Sequence, residues 1–246
     1  MQTFYFSDPG KVRTHNEDSV TILNNDNNEI LLAVADGMGG HKAGEVASGL
    51  AIEHITNEFY KLETFGNKEN AIEWLRNIVL EINQRIFKYT KENPQSKGMG
   101  TTLVIAIKTN DYILYGNIGD SSGYVIKNNT LHKVTRDHTL VNLLVSTGEL
   151  TEEEAKHHPR KNVLMRALGA NDPIEIDIFD VDTTIKGIFL CSDGLTNMLT
   201  DEQIEKILNS NLSIEEAVVR LIRKSNSRGG TDNISIAYLK KESGDL

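Results

Sequence analysis

The sequence predicts an α+β fold: a four-layer sandwich of two antiparallel β-sheets flanked by helices, with a helical flap inserted. Strand-like and helix-like segments do not alternate regularly, because groups of short apolar runs lie before and after two long helical stretches. Turn-forming pairs such as Asn110-Asp111 and Asn128-Asn129 join consecutive runs. Such pairs are typical of an antiparallel meander, whereas a doubly wound parallel sheet would need a helix between successive strands.

The N-terminal part of the chain begins with three β-type runs, at residues 3–6, 19–23 and 30–35. The third run is continuously apolar, which is typical of a strand buried on both faces. Two helical stretches follow at residues 44–62 and 69–93, and the second carries apolar residues at helical spacing. We expect these helices to form one outer layer.

Four further strands are predicted at residues 102–107, 112–117, 123–126 and 130–134. The segment that follows them no longer shows the strand pattern. In that segment, residues 139–170, Thr151 and Glu154 form a capping-box pattern that predicts the start of a helix. We interpret it as an insertion between strands.

The C-terminal part has two more predicted strands, at residues 174–181 and 186–191, and a final strand at 233–239. Cap-like residues predict helices that begin at Thr200 and Ser213. We therefore expect one domain over residues 1–241 and a short C-terminal tail at 242–246.

Composition limits the classes of partner. The 246 residues are 39% hydrophobic, which is enough for a substantial core. The net charge of −9 predicts repulsion of nucleic acid and of anionic lipid, so neither is an expected partner. A single cysteine, the absence of a signal-peptide pattern and the lack of any apolar run near the roughly 20 residues that span a bilayer predict a cytoplasmic protein. We expect a monomer.

Acidic residues mark the ends of several predicted strands. The pair Glu17-Asp18 precedes a strand, and four aspartates lie where an apolar run meets a turn: Asp36, Asp120, Asp193 and Asp232. Any one Asp-Gly pair can be an ordinary turn. Carboxylates that converge, however, need protons or cations between them, and a purely oxygen ligand set selects Mg²⁺ or Mn²⁺ over zinc. The pattern predicts a two-metal site.

Arg13 lies just before the Glu17-Asp18 pair. A guanidinium beside an acidic metal site can hold two phosphate oxygens at once, although a simple salt bridge to one of the acids is an equal alternative. Two cations and an arginine are the components of metal-assisted phosphoryl hydrolysis.

Six ordered motifs give the sequence a family resemblance. Together they resemble the motifs of protein phosphatase 2C-type enzymes, the PPM family, over nearly the whole chain: Arg-Thr-His-Asn-Glu-Asp at 13–18, Val-Ala-Asp-Gly-Met-Gly-Gly at 34–40, Gly-Met-Gly-Thr-Thr at 98–102, Gly-Asp-Ser at 119–121, Cys-Ser-Asp-Gly at 191–194 and Asp-Asn-Ile-Ser at 232–235. The resemblance implies a metal-dependent phosphatase of phosphoserine and phosphothreonine proteins. The compact layout is similar to bacterial members that oppose a eukaryotic-like Ser/Thr kinase.

The same resemblance implies roles for the central residues. Asp36 would bridge two ions, Mn²⁺ or Mg²⁺, and the Gly37 carbonyl would bind the second of them. Asp193 and Asp232 would hold the first ion. The flap at 139–170 would lie beside this site.

The remaining site residues are also assigned through the resemblance. Glu17 and Asp18 would act on the second ion or through its waters, and Asp120 would share a weaker third ion with Asp193. Arg13 would clamp the substrate phosphate, and with Asp36 it completes the expected catalytic residues.

One position departs from the eukaryotic pattern, because Met38 stands where many eukaryotic members carry histidine. His41 or a water on the third ion is then left to protonate the leaving oxygen. We expect His41 to be a surface residue and the water to be the donor.

Four other interpretations are weaker. A cysteine phosphatase that uses Cys191 would need an arginine six positions later, where Asn197 stands. The glycines at 37–44 do not fit a dinucleotide fingerprint, because Lys42 occupies its final glycine position. Residues 24–28 lack the glycine and terminal glutamate of a calcium loop. A phosphoprotein-binding module without turnover would usually have lost the central aspartates.

Overall fold

The computed structural model describes residues 1–39 and 43–241. Its strands are β1 Gln2–Asp8, β2 Asp18–Asn24, β3 Ile30–Met38, β4 Gly100–Thr101, β5 Leu103–Lys108, β6 Ile113–Ile118, β7 Ser122–Lys127, β8 Thr130–Lys133, β9 Asp177–Val181, β10 Gly187–Cys191 and β11 Ile234–Lys240. Its α-helices are α1 Ala43–Phe59, α2 Lys68–Glu92, α3 Leu140–Ser146, α4 Glu152–His157, α5 Asp193–Thr196, α6 Asp201–Leu208 and α7 Ile214–Ser227. A short 3-10 helix spans Pro94–Ser96.

The strands form two sheets in which neighbouring strands are antiparallel. The first sheet has the order β1-β11-β10-β7-β8, and the second has the order β2-β3-β5-β6-β9, with β4 paired to the end of β3. The prediction of two antiparallel sheets is confirmed. Since β1 pairs with β11, the two ends of the described chain lie in the same sheet.

Three apolar cores separate four layers. Helices α1 and α2 pack on the outer face of the second sheet, and helices α5, α6 and α7 pack on the outer face of the first. The third core lies between the sheets. The four-layer sandwich is therefore confirmed. Among the described helices, none has the length and apolarity to cross a bilayer.

The sequence of strand β3 is continuously apolar because both faces of the strand are buried. Leu31 and Ala33 face the helices α1 and α2, whereas Leu32 and Val34 face the first sheet. All four side chains are fully buried. Truncation of Leu32 to alanine would cost about 2–5 kcal/mol of stability, which is typical for a buried leucine. The end of this strand is thus a fixed platform for the residues that follow.

Helix ends follow the predicted signals. Asn67 accepts a hydrogen bond from the Asn70 amide at 2.9 Å at the start of α2, which ends just before Pro94. The capping box predicted at Thr151 begins α4, and a second capping box at Ser213 begins α7. These reciprocal hydrogen bonds satisfy amides that the first helical turn leaves unpaired.

Several elements differ from the prediction. Strand β3 continues through Asp36 to Met38 rather than ending at residue 35, because its last residues pair with the short strand β4, which was not predicted. Strand β9 begins at Asp177 rather than at residue 174, because its partner β6 ends at Ile118 and Asp177 pairs with Asn117 next to that end. Residues 193–196 form the short helix α5, which was not predicted because the segment is too short to show a helical period.

The segment between β8 and β9 contains the helices α3 and α4, so its predicted helical character is confirmed. Isolated β-bridges from Thr139 to Leu164 and from Thr101 to Leu168 fix its two ends. The domain boundaries proposed at residues 139–170 and 241 remain predictions, and the tail at 242–246 lies outside the described residues.

Candidate active site

The predicted acidic residues converge at one end of the two sheets. A cavity of about 490 Å³ there is lined by Arg13, Glu17, Asp36, Gly37, Asp120, Asp193 and Asp232. Asp18 lies directly behind this group, paired with Asp36 across β2 and β3 and 8% exposed. The structure thus brings all eight predicted site residues together, and it does so from both sheets.

Asp36 is held through its backbone. Its amide donates to the Thr102 hydroxyl at 3.0 Å, and its carbonyl accepts from the Thr102 amide and the Thr101 hydroxyl, both at 2.9 Å. Burial raises the pKa of the Asp36 carboxyl well above its usual range, and the negative charges of Asp18 and Asp193 add to the rise. A carboxyl in this position binds protons or cations strongly.

Asp18 has one satisfied and one unsatisfied oxygen. The Ser192 hydroxyl donates to Asp18 Oδ2 at 2.7 Å and accepts from the Ser235 amide at 2.9 Å. Asp18 Oδ1 is buried and has no hydrogen-bond partner. Burial is the main reason that the pKa of Asp18 rises to about 7.

Asp193 shows the same pattern. Asn197 donates to Asp193 Oδ2 at 3.0 Å, while Asp193 Oδ1 is buried without a partner. Burial and then the charge of Asp232 raise the pKa of Asp193. Burial together with the charge of Asp193 also raises the pKa of Asp120, to about 7.

These observations test whether divalent cations fit the site. Buried carboxylates that repel one another, two of them with unpartnered oxygens, are stable together when cations lie between them. The donors are carboxylate oxygens and the backbone carbonyl of Gly37, which Mg²⁺ and Mn²⁺ prefer. The residues therefore fit the ions that the family resemblance implies.

Two glycines allow the close approach that forms the cluster. A Cβ atom on Gly37 would lie 2.1 Å from the Gly44 carbonyl oxygen, and one on Gly194 would lie 1.9 Å from the Asn233 carbonyl oxygen. The Gly37 amide also donates to the Glu17 carbonyl at 3.1 Å. Glycine is therefore required at both Asp-Gly pairs for packing. Neither pair forms the expected turn, because Asp36-Gly37 lies within β3 and Asp193-Gly194 begins α5.

Arg13 lies on a loop that Asn233 holds in place. The Asn233 side-chain amide donates to the carbonyls of Pro9 and His15, each at 2.9 Å, and its oxygen accepts from the Glu17 amide at 2.8 Å. Arg13 Nη2 donates to Asp232 Oδ2 at 2.8 Å, and its side chain is 50% exposed. The salt bridge is therefore present, and phosphate binding by Arg13, which also lines the cavity, stays a prediction.

The flap contributes further residues that sequence reasoning had assigned no role. Arg166 lines the cavity and donates to Asp177 at 2.6 Å. His138, at the base of the flap, accepts from the Gly119 amide through Nδ1 at 3.1 Å, so its Nε2–H donates to Asp177 at 3.1 Å. This chain of contacts connects the flap to the loop that carries Asp120. The polar residues that follow β8 are the sequence signal from which these contacts could have been predicted.

Met38, the residue that departs from the eukaryotic motif, lines the cavity. Met38 packs on Gly100, where an added Cβ would lie 2.8 Å from the Met38 methyl carbon. His41, the other candidate proton donor, lies outside the described residues. Cys191 is fully buried within β10, and burial raises the pKa of its thiol, so a nucleophilic thiolate is disfavoured.

Comparisons with known proteins agree with this geometry. The family model described as "Protein phosphatase 2C" matches residues 11–233. The serine/threonine phosphatase stp of Listeria welshimeri is 42% identical over 242 residues, which are 98% of this chain and 96% of that protein. Protein phosphatase PhpP of Streptococcus pneumoniae is 34% identical over 248 residues, which cover 100% and 99% of the two chains.

Solved structures agree as well. The S. agalactiae serine/threonine phosphatase superimposes with a TM-score of 0.93 at 32% identity, covering 98% of this chain and 99% of that one. The Mycobacterium tuberculosis phosphatase PstP/Ppp gives a TM-score of 0.85 at 34% identity, with 98% of each chain covered. With matching motifs, fold and family model, the chain belongs to the protein phosphatase 2C family.

Proposed function

We propose that this serine/threonine protein phosphatase hydrolyses phosphoserine and phosphothreonine with water activated at a Mg²⁺ or Mn²⁺ site built on Asp36. The observation that carries the proposal is the buried group of aspartates whose pKa values are raised together and whose oxygens Asp18 Oδ1 and Asp193 Oδ1 have no partner. Such a group favours two cations over a set of bound protons.

In this proposal Asp36 and the Gly37 carbonyl bind the ions from the second sheet, and Asp193 and Asp232 bind from the first. When bound, the cations lower the pKa of water and neutralise charge on the phosphoryl oxygens. The Ser192 hydroxyl occupies Asp18 Oδ2, and Oδ1 is buried without a partner next to Asp36, which supports a role for Asp18 just behind the second ion.

Glu17 and Asp120 would complete the set. Burial raises the pKa of Glu17, which lines the cavity, and the Gly44 amide donates to its carboxylate. Asp120 lies between the cavity and the flap, close enough to Asp193 for their charges to interact. We assign Asp120 to a weaker third ion that it shares with Asp193.

Arg13 is proposed to bind the substrate phosphate. Its hydrogen bond to Asp232 orients the guanidinium at the rim of the cavity, and its half-exposed side chain can move to meet a ligand. A planar guanidinium donates to two phosphoryl oxygens at once, which positions the phosphorus over the carboxylate cluster.

The substrates would be phosphoproteins, including a cognate Ser/Thr kinase, and the enzyme would act as a monomer. We further propose that residues 1–241 are the phosphatase domain and that the flap at 139–170 contacts the substrate protein. A single buried cysteine is consistent with the cytoplasmic location that we propose.

The direct test measures phosphate release from a phosphothreonine peptide with Mn²⁺, with Mg²⁺ and with a chelator. We expect turnover with either cation and none with the chelator, with activity restored when metal is added back. Peptide binding without turnover under all metal conditions would instead identify a phosphoprotein-binding module. Turnover that persists in the chelator would exclude the metal mechanism.

A further inference from the structure

A second group of metal-ligand side chains lies in the outer helical layer, away from the cavity. His54 and Glu58 are one turn apart on α1, and Glu81 faces them from α2. One ligand atom from each residue lies within 4.8 Å of the others. His54 Nε2 is 2.7 Å from Glu81 Oε2, and His54 Nδ1 is 4.0 Å from Glu58 Oε1. None of the three residues lines the proposed active site.

The imidazole of His54 has an unexplained nitrogen. Its side chain is 6% exposed, and Nδ1 is buried without a hydrogen-bond partner. Since Nε2 is bonded to Glu81, Nδ1 remains directed at the Glu58 carboxylate, at a distance too long for a hydrogen bond. A buried lone pair that faces a carboxylate is unfavourable unless a proton or a metal cation lies between the two groups.

We propose that His54 and Glu58 of α1 bind zinc and that Glu81 of α2 supports the site through the His54 ring. Nδ1 of His54 and the carboxylate of Glu58 are the direct ligands, and water completes the coordination. Glu81 holds the Nε2–H of the ring, which is the arrangement that orients many metal-bound histidines. An imidazole ligand favours Zn²⁺, whereas Mg²⁺ prefers the oxygen donors of the carboxylate cluster.

A neighbouring lysine makes the proposal specific. Lys61 donates to Glu58 Oε1 at 2.7 Å, and its side chain is 68% exposed. Its ammonium group therefore competes with a cation for the same carboxylate oxygen. If Zn²⁺ binds there, removal of Lys61 should strengthen binding, whereas a purely structural ion pair gives no reason for such an effect.

The experiment titrates ZnCl₂ into the full-length enzyme with Mg²⁺ at saturation, with calorimetry and metal analysis as readouts. We expect the wild type to bind one more zinc ion than His54→Ala and Glu58→Gln, and Glu81→Gln to bind it roughly 10-fold to 100-fold more weakly. Lys61→Ala should bind it several-fold more tightly. With zinc at about 100 times its Kd, the wild-type Tm should rise by roughly 5–10 °C.

Two matched controls remove comparable groups elsewhere. Glu53→Gln removes an exposed charge from the same helix, and His157→Ala removes an exposed histidine one turn from Glu153. Both controls should bind zinc as the wild type does. Phosphatase activity without zinc should be the same in all variants, because none of these residues lies at the active site.

Equal zinc stoichiometry in the wild type, His54→Ala and Glu58→Gln would overturn the proposal. If His54→Ala fails to fold by circular dichroism, Glu58→Gln and Lys61→Ala decide the question, since both side chains are partly or largely exposed. Failure here leaves the proposed phosphatase mechanism untouched, because that mechanism is tested by peptide turnover with Mg²⁺ or Mn²⁺.

Discussion

The carboxylate cluster and the flap border the same cavity, yet they are held in different ways. Asp36 is fixed by three backbone hydrogen bonds and by a strand that is buried on both faces. The flap contact from Arg166 to Asp177 joins two partly exposed side chains. The difference indicates that the cluster has a fixed geometry, whereas the Arg166 contact of the flap can break at smaller cost in free energy.

The largest expected effect is at the centre of the cluster. Asp36→Asn keeps the side-chain shape but removes one negative charge, so kcat on a phosphothreonine peptide should fall by roughly 100-fold to 1,000-fold. Calorimetry should show weaker Mn²⁺ binding in the same variant. Near-normal activity with normal metal binding would show that Asp36 is not a central ligand.

The glycines that allow close packing should give the next effect. Gly194→Ala places a Cβ atom 1.9 Å from the Asn233 carbonyl oxygen, so we expect a loss of about 1–3 kcal/mol in stability together with impaired turnover. Thermal unfolding measures the first quantity and peptide assays the second. Gly49→Ala is the matched control, because a Cβ on Gly49 meets nothing within 4 Å and alanine favours the helix.

The stability of the metal-free protein at different pH values tests the carboxylate cluster independently of turnover. Burial raises the pKa values of Asp18 and Asp120 to about 7, so between about pH 4 and pH 7 the native state binds more protons than the unfolded state. Stability must then fall as pH rises through this window. We expect the Tm in a chelator to be lower at pH 8 than at pH 5 by roughly 5 °C or more, and excess Mg²⁺ to raise the Tm most at pH 8.

Flat Tm values across this pH range in the chelator would mean that the aspartates titrate normally. In that case the carboxylates of Asp18 and Asp120 are well hydrated, and they need no cations to lie close together.

A smaller effect is expected at the rim of the cavity. Arg13→Ala should raise KM for the phosphopeptide about 10-fold with a lesser change in kcat, and Arg13→Lys should restore only part of the loss because an ammonium group donates from one point. Steady-state kinetics separates the two parameters. Unchanged KM with a lower Tm would assign Arg13 to the salt bridge with Asp232 alone.

The smallest effect should come from the flap. Arg166→Ala removes an ion pair between partly exposed groups, so we expect at most an approximately fivefold rise in KM for a phosphopeptide. Hydrolysis of p-nitrophenyl phosphate, which lacks a protein chain, should change less. Equal losses on both substrates would show that Arg166 acts on the cluster and would remove the contrast between the two regions.

Much of this fold could be predicted from sequence because its signals are local. The apolar run of β3, the turn pairs and the capping residues Thr151 and Ser213 each act within a few positions of the element that they define. The late start of β9 depends instead on where its partner β6 ends, and a local pattern carries no information about that partner. Helix α5, with four residues, is too short to show a helical period.

The candidate site likewise contains residues that the sequence predicts and contacts that it does not. The aspartates were recognised because strand ends and ordered motifs mark them in sequence. The clamp formed by Asn233 on the Arg13 loop joins residues 224 positions apart, and the His138 contacts join the flap to a loop on another strand. Such supporting contacts become visible only when the chain is folded. The roles of the ligands remain predictions that the variants above examine.

The pairing of β1 with β11 also has a consequence for how the enzyme is made. Arg13 is synthesised early, but its partner Asp232 and the neighbouring Asn233 follow more than 200 positions later. Since Asp36 comes from one sheet and Asp193 and Asp232 from the other, a nascent chain lacks part of the proposed ligand set until β11 is inserted. Under that proposal, hydrolytic activity appears only once both sheets are assembled.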